Sequence, residues 1–168
     1  AWDKTDFTYM RYLFNRFIPP LVALASFLSF FVAANGVKMG ILLGGELFEN
    51  AGLSIAFMSV YPIHQTYGQL CGSVFFASGK TKLMRNISIL LNILGLGVTA
   101  FLLLPVKYGG LDLASVGLVY KMVFLQFILV NYYLYHCSKI LNISFLESIL
   151  KQFAIMSSFA LLAFSVNI

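Results

Sequence analysis

The sequence predicts an all-α membrane protein with about five transmembrane helices. Hydrophobic residues make up 60% of its 168 residues, charged residues make up 10%, and the mean hydropathy is +0.89. Soluble domains are about 45–50% apolar and about 25% charged. A water-soluble monomer of this length cannot bury so much apolar surface, so the sequence requires a lipid bilayer around it.

The apolar residues form long runs, which indicates helices rather than strands. A transmembrane helix needs about 20 apolar residues, whereas the strands of a membrane barrel alternate apolar and polar residues. Backbone groups in hydrocarbon have to be paired within the segment, as they are in a helix. We expect the spans to cover residues 17–37, 51–77, 87–105, 113–135 and 150–166.

The segment before the first span, residues 1–16, has the pattern of an amphipathic helix lying along the lipid headgroups. Phe7, Met10 and Phe14 recur at helical spacing, whereas Arg11 stays near water. A frayed chain end is the alternative interpretation of this segment. The odd number of spans after it suggests that the sequence is a piece of a longer chain.

The lysine and arginine residues lie mainly in the connections on one side of the predicted spans. By the positive-inside rule that side is cytoplasmic, which places the chain start inside and Ile168 outside. Because these residues are not gathered on one soluble face, the net charge of +5 does not indicate nucleic-acid binding. The basic residues on this side are Lys4, Arg11, Arg16, Lys80, Lys82, Arg85, Lys139 and Lys151, whereas Lys38 and Lys107 lie on the other.

The sequence lacks the motifs of common catalytic and cofactor sites. It has no glycine-rich phosphate loop, no HExxH motif and no cysteine–histidine spacing typical of a metal site. Cys71 and Cys137 lie within or at the end of apolar spans, where cysteine is usually a small packing residue. We therefore predict a protein that is not an enzyme and that has no cofactor and no bound metal.

Lys121 is the most informative polar residue, since a lysine at the centre of a membrane helix costs about 2.5–3.5 kcal/mol on insertion scales. It lies roughly eight residues into the fourth predicted span. One interpretation is a contact with the phosphate of an anionic substrate. The other is snorkelling to the membrane surface, or a buried pair with a residue elsewhere in a longer chain.

A second group of polar residues surrounds Pro62, which removes a backbone donor and predicts a kink in the second span. Gln65 and Gln69 share one helix face, and Tyr61 precedes them by one turn. These side chains are candidates to line a polar cavity, with Asn92 of the third span as a further member. Structural hydrogen bonds between helices are the alternative explanation for such residues.

Four segments follow one another in a distinctive order. A glycine-acidic outer turn at 44–51 precedes a helix with a proline and glutamines at 61–69, a basic turn at 77–82 and a proline–glycine turn at 105–114. This order resembles the multidrug/oligosaccharidyl-lipid/polysaccharide exporter superfamily. Within it, the sequence is most similar to Wzx-type flippases of O-antigen and other polysaccharide repeat units, over about residues 17–135.

The resemblance implies a transporter of about 12 to 14 helices in two lobes, with this chain as the C-terminal part of the second lobe. It also implies that an undecaprenyl-diphosphate-linked oligosaccharide crosses the bacterial cytoplasmic membrane by alternating access. The implied partners are this lipid-linked sugar, membrane lipid and the remainder of the same chain. Lys121, Gln65, Gln69 and Asn92 are candidate cavity residues because of their chemistry and not because of a family motif.

Two other functions remain open from the sequence. A multidrug/cation antiporter of the same superfamily would need an acidic residue at membrane depth, and every acidic residue here lies in a connection or near a helix end. A small stand-alone membrane subunit would be a chain that folds by itself. The flippase hypothesis is the one that assigns a role to Lys121 and the glutamines.

Overall fold

A computed structural model describes residues 6–166, without the side chain of Ser115. Over that range the chain is helical and contains no strand. The first helix is capped by Asp6, whose carboxylate accepts a hydrogen bond from the Tyr9 amide at 3.0 Å. The α-helices are α1 (Phe7–Ala34), α2 (Gly36–Gly44), α3 (Gly52–Met58), α4 (Tyr61–Ala77), α5 (Thr81–Leu103), α6 (Ala114–Leu141) and α7 (Phe145–Val166).

The all-α membrane class is confirmed, with four rather than five helices that are long and apolar enough to cross a bilayer among the described residues. The missing one is the predicted span 51–77, which is divided into α3 and α4. With 7 and 17 residues, each is shorter than the roughly 20 residues that a span needs. The four helices are Phe7–Ala34, Thr81–Leu103, Phe145–Val166 and, within α6, Val116–Leu141.

Pro62 gives the physical reason for this division. Its ring conflicts with the carbonyl of the residue four positions earlier, and it has no N–H to donate. That earlier residue is Met58, where α3 ends, and Ser59 and Val60 form the turn between the two helices. Pro62 itself lies in the first turn of α4, where proline is tolerated.

Together α3 and α4 return along the length of α1. Ser59 and Ser29 line one groove near the C-terminal end of α1. Tyr67 and Phe14 line a cavity near its N-terminal end. The two short helices are therefore antiparallel to α1 and follow it in two pieces, with the turn at Ser59 between them.

The first helix is longer than the predicted first span, 17–37. The sequence predicts a separate lead-in over 1–16, but α1 runs without interruption from Phe7 to Ala34, through Pro19 and Pro20. Residues 1–5 of the lead-in lie outside the described residues. At 1.5 Å per residue, the 28 residues of α1 measure about 42 Å. Because the hydrocarbon core is about 30 Å thick, α1 is longer than an upright span requires.

Between α1 and α3 the chain folds back tightly on itself. A Cβ on Gly36 would overlap the carbonyl oxygen of Gly52, and one on Gly40 would come within 2.8 Å of the Phe48 carbonyl oxygen. Gly45 has a φ of +77°, which permits the reversal after α2. The glycine-rich stretch that the sequence places at the outer surface is thus a compact helical hairpin.

The helix α4 lies between α1 and α6. It contacts α1 on one side and α6 on another, and α6 in turn packs against α5. The helix α7 runs parallel to α1. The ring centroids of Phe27 and Phe159 are 6.2 Å apart, and the C-terminal ends of both helices border one cavity. The largest fully buried side chains include Ile63, Tyr67 and Phe75 of α4.

Labelling of single cysteines tests the path of α5. Its 23 residues measure about 34 Å, enough to cross the hydrocarbon. We expect Lys80→Cys and Lys107→Cys to react with a membrane-impermeant maleimide from opposite sides of the membrane. Lys139→Cys, at the end of α6, should react from the side of Lys80. The native Cys71 and Cys137 are buried and should contribute little signal. Reaction of Lys80→Cys and Lys107→Cys from one side would contradict this topology.

Candidate functional site: a polar groove between α4, α5 and α6

Three of the predicted site residues line one groove. Tyr61 of α4, Asn92 of α5 and Lys121 of α6 border a space of about 440 Å³ between these helices. Gln126 of α6 and Ser88 of α5 line it as well. The groove therefore brings an ammonium, two amides and two hydroxyls together on a background of leucine side chains.

The Lys121 side chain lies across α5 at a glycine. A Cβ added to Gly95 would sit 3.4 Å from the Cε atom and 3.7 Å from the Nζ atom of Lys121. Gly95 is buried, and Lys121 is half-buried beside it. An added Cβ would be in ordinary van der Waals contact with these two atoms, so the end of the lysine side chain lies directly against α5 at Gly95.

The depth of this contact argues against simple snorkelling. Lys121 is the eighth residue of α6, about 10 Å from the start of that helix, and Gly95 lies about 12 Å before the end of α5. The ammonium thus stays alongside the middle of α5. Over residues 6–166 the one ion pair joins Lys151 to Glu147, so Lys121 has no carboxylate partner there.

A hydrogen bond ties the groove to α4. The Nε2 atom of Gln126 donates to the Oε1 atom of Gln65 at 2.5 Å. Gln65 follows Tyr61 by one turn, as the sequence indicates, and the two glutamine side chains are half-buried. This bond fixes the rotation of α4 relative to α6, because amide partners are scarce in hydrocarbon.

Neither Gln65 nor Gln69 lines the groove, although both are predicted site residues. Gln65 is bonded to Gln126, which does line it, whereas the Gln69 side chain is exposed. The preceding residue, Gly68, packs against Val130 of α6. A Cβ added to Gly68 would lie 3.2 Å from the Cγ2 atom of Val130. Close approach of α4 and α6 at Gly68 leaves Gln69 beyond the edge of their contact.

Sequence reasoning missed Gln126 and Ser88 as site residues. Ser88, Asn92 and Gly95 are spaced by four and three residues, so they share one face of α5. Gln126 lies inside an apolar span, which is itself a signal of an internal partner. The spacing on α5 and the lone amide on α6 could have found both.

A second polar pair is buried on another face of α4. The Nδ1 atom of His64 lies 3.0 Å from the Nε2 atom of Gln152 on α7. His64 is 4% exposed and Gln152 is 1% exposed, so this contact is enclosed by protein. The ring of Phe127 meets the His64 ring edge-on, with centroids 5.2 Å apart. His64 thus connects α4 to α7 and is not part of the groove.

No family model matches this chain, and neither a curated protein nor a solved structure does.

A double-mutant cycle measures the contact between α4 and α7. His64→Leu leaves a buried amide without a partner, and Gln152→Leu leaves a buried imidazole, so each should destabilise the protein. We expect a coupling free energy of about 0.6–1.7 kcal/mol, the range for hydrogen bonds between membrane helices. Reversible unfolding in mixed micelles gives the free energy of each variant.

The matched control is Gln69→Leu, which removes an exposed amide from the same helix. We expect it to change the free energy of unfolding by less than about 0.5 kcal/mol. Strict additivity of His64→Leu and Gln152→Leu would show that the two side chains do not interact in the folded protein.

Proposed function

We propose that this chain is part of a transporter that moves a lipid-linked oligosaccharide across the bacterial cytoplasmic membrane by alternating access. The observation that carries the proposal is the meeting of Lys121, Asn92 and Tyr61 in one groove between helices. None of the three is adjacent in sequence, and each is costly or unusual at this depth. Their convergence supports a polar path for a substrate.

The chemistry of the groove suits a substrate of the undecaprenyl-diphosphate type. The ammonium of Lys121, which has no ion-pair partner from residue 6 to 166, attracts phosphate oxygens, and a lysine acts on phosphate as a compact point charge. The amide of Asn92 and the phenol of Tyr61 both donate and accept hydrogen bonds, as sugar hydroxyls require. Leucine side chains along the groove, such as Leu91 and Leu125, provide an apolar wall beside these groups.

The turn between α3 and α4, which we propose as a hinge, lies next to the groove. The turn at Ser59 and Val60 separates α3 from α4 directly before Tyr61. Rotation at this turn would carry Tyr61 and Gln65 relative to α6 while leaving each helix intact. Hinges in membrane transporters are often such interruptions within a span. We assign Pro62 the role of maintaining this hinge.

The groove is open on the side away from the bundle, and its lining residue Leu96 is 72% exposed. An ammonium and two amides facing bare lipid would be unfavourable. We infer that the substrate or further helices of the same transporter cover this side. The antiporter alternative gains no support, since the acidic residues from 6 to 166 lie at helix ends or in connections.

Substitution of Lys121 tests the proposal. In the protein produced from its native gene, Lys121→Met should lower transport of the lipid-linked oligosaccharide by about tenfold or more, because a hydrogen bond to a charged group contributes about 1.5–3 kcal/mol. Lys121→Arg, which keeps the charge, should retain more transport than Lys121→Met. Proteoliposomes loaded with the labelled lipid-linked sugar give the rate.

Lys107→Met is the matched control, since Lys107 lies in the outer connection away from the groove. It should leave the transport rate unchanged. Equal rates for the native protein and Lys121→Met, at equal amounts in the membrane, would overturn the assignment of the groove as the substrate path.

A further inference from the structure

A second cavity lies at the end of the bundle opposite to the outer connection. It is enclosed by the first turns of α1, the middle of α4 and the first turns of α7, and it measures about 190 Å³. One water occupies about 30 Å³ in the liquid, so the space accommodates a phosphate group. None of its lining residues borders the groove of Lys121.

The cavity has a polar mouth and an apolar floor. Arg11 and Asn15 of α1 face Ser148 and Lys151 of α7 across its entrance. The floor contains Ile18, which is 5% exposed, and Phe14 and Tyr67 lie beside it. A site with cationic and neutral donors above apolar side chains matches a molecule that has an anionic headgroup and an apolar tail.

The charges at the mouth leave a net positive site. Lys151 forms an ion pair with Glu147, with 2.6 Å between its Nζ atom and the Oε1 atom. Arg11 has no carboxylate within ion-pair distance among the described residues. Arg11 interacts with Glu147 through longer-range charge attraction without an ion pair, so its planar fork of donors can still bind two phosphate oxygens at once.

The position of the cavity indicates where the anion comes from. Arg11 lies in the second turn of the long helix α1, and the sequence predicts that it and the basic turn around Lys80 and Lys82 lie on the same, cytoplasmic side of the membrane. The cytoplasmic leaflet carries anionic lipids that attract basic residues close to its surface. Lipid phosphates are therefore concentrated at the level of this entrance.

We propose that this cavity binds the phosphate of an anionic lipid headgroup in the cytoplasmic leaflet. Arg11 binds the phosphate oxygens, Lys151 contributes the second positive charge, and Asn15 and Ser148 supply neutral hydrogen bonds. The first carbons of the lipid lie against Ile18 and Phe14. The site is separate from the Lys121 groove, and it does not rest on the transport function proposed above.

Substitution of Glu147 should change the affinity for anionic lipid in the opposite direction to substitution of the two cations. A carboxylate beside the entrance repels a phosphate and holds part of the charge of Lys151. Replacing it with glutamine should therefore strengthen binding of an anionic lipid, whereas loss of either cation should weaken it. A cavity that recognises lipid through apolar contacts alone would respond to neither change.

The test is equilibrium binding of phospholipid to the detergent-solubilised protein, measured by native mass spectrometry. The probes are a short-chain phosphatidylglycerol, the matching phosphatidylcholine and inorganic diphosphate. We expect phosphatidylglycerol to bind at least about fivefold more tightly than phosphatidylcholine. Arg11→Gln and Lys151→Gln should each weaken it about fivefold, which corresponds to roughly 1 kcal/mol per basic residue near an anionic surface. Glu147→Gln should strengthen it by a similar factor.

Two further variants separate this cavity from a general surface charge. Arg85→Gln removes a basic residue at the start of α5, on the same predicted side but outside the cavity, and it should not change binding. Asn15→Trp fills the cavity without changing charge, and it should abolish the preference for phosphatidylglycerol. If this larger side chain prevents folding, the charge variants still decide the outcome.

Inorganic diphosphate distinguishes the two sources of phosphate. Competition with phosphatidylglycerol would show that the site recognises phosphate by itself, and lack of competition would show that the lipid body is required. We expect no competition, because the lipid carbons contribute to binding, and full competition would overturn the assignment of the site to a lipid. Equal affinity for both phospholipids would overturn the proposal, as would equal weakening by Arg11→Gln and Arg85→Gln or weaker binding by Glu147→Gln.

Discussion

Polar groups at the depth of the hydrocarbon have to find partners within the protein, because lipid tails offer none. The helix α4 meets this constraint on two faces at once. Gln65 bonds to Gln126 of α6, and His64, the residue before it, lies against Gln152 of α7. Apolar contacts between membrane helices are hardly stronger than contacts with lipid, so these polar bonds define how α4 is rotated. The positions of α6 and α7 around it follow.

The same rotation creates the groove. With Gln65 held against α6, Tyr61 one turn earlier points into the space that Asn92 and Lys121 also line. The end of the Lys121 side chain lies against α5 at Gly95. The polar core and the groove are two consequences of one helix orientation. A change that rotates α4 would alter both.

The helix break before α4 is the point at which we propose that α4 moves relative to its neighbours. Pro62 separates a short helix, which packs in the outer hairpin, from a longer one that carries the polar contacts. In the middle of α4, Tyr67 lines the cavity whose mouth carries Arg11 and Lys151. One helix thus borders the proposed hinge, the groove and the basic cavity.

The sequence by itself determined the membrane class, the approximate places of most spans and the presence of Lys121, Tyr61 and Asn92 at membrane depth. These follow from local hydropathy, which each segment carries in its own residues. Only the tertiary structure decided that 51–77 is two helices and that Gln69 lies outside the groove. It also decided that His64 meets Gln152, which is 88 residues away. Such choices depend on the rotation of each helix against its neighbours, and no single segment encodes that rotation.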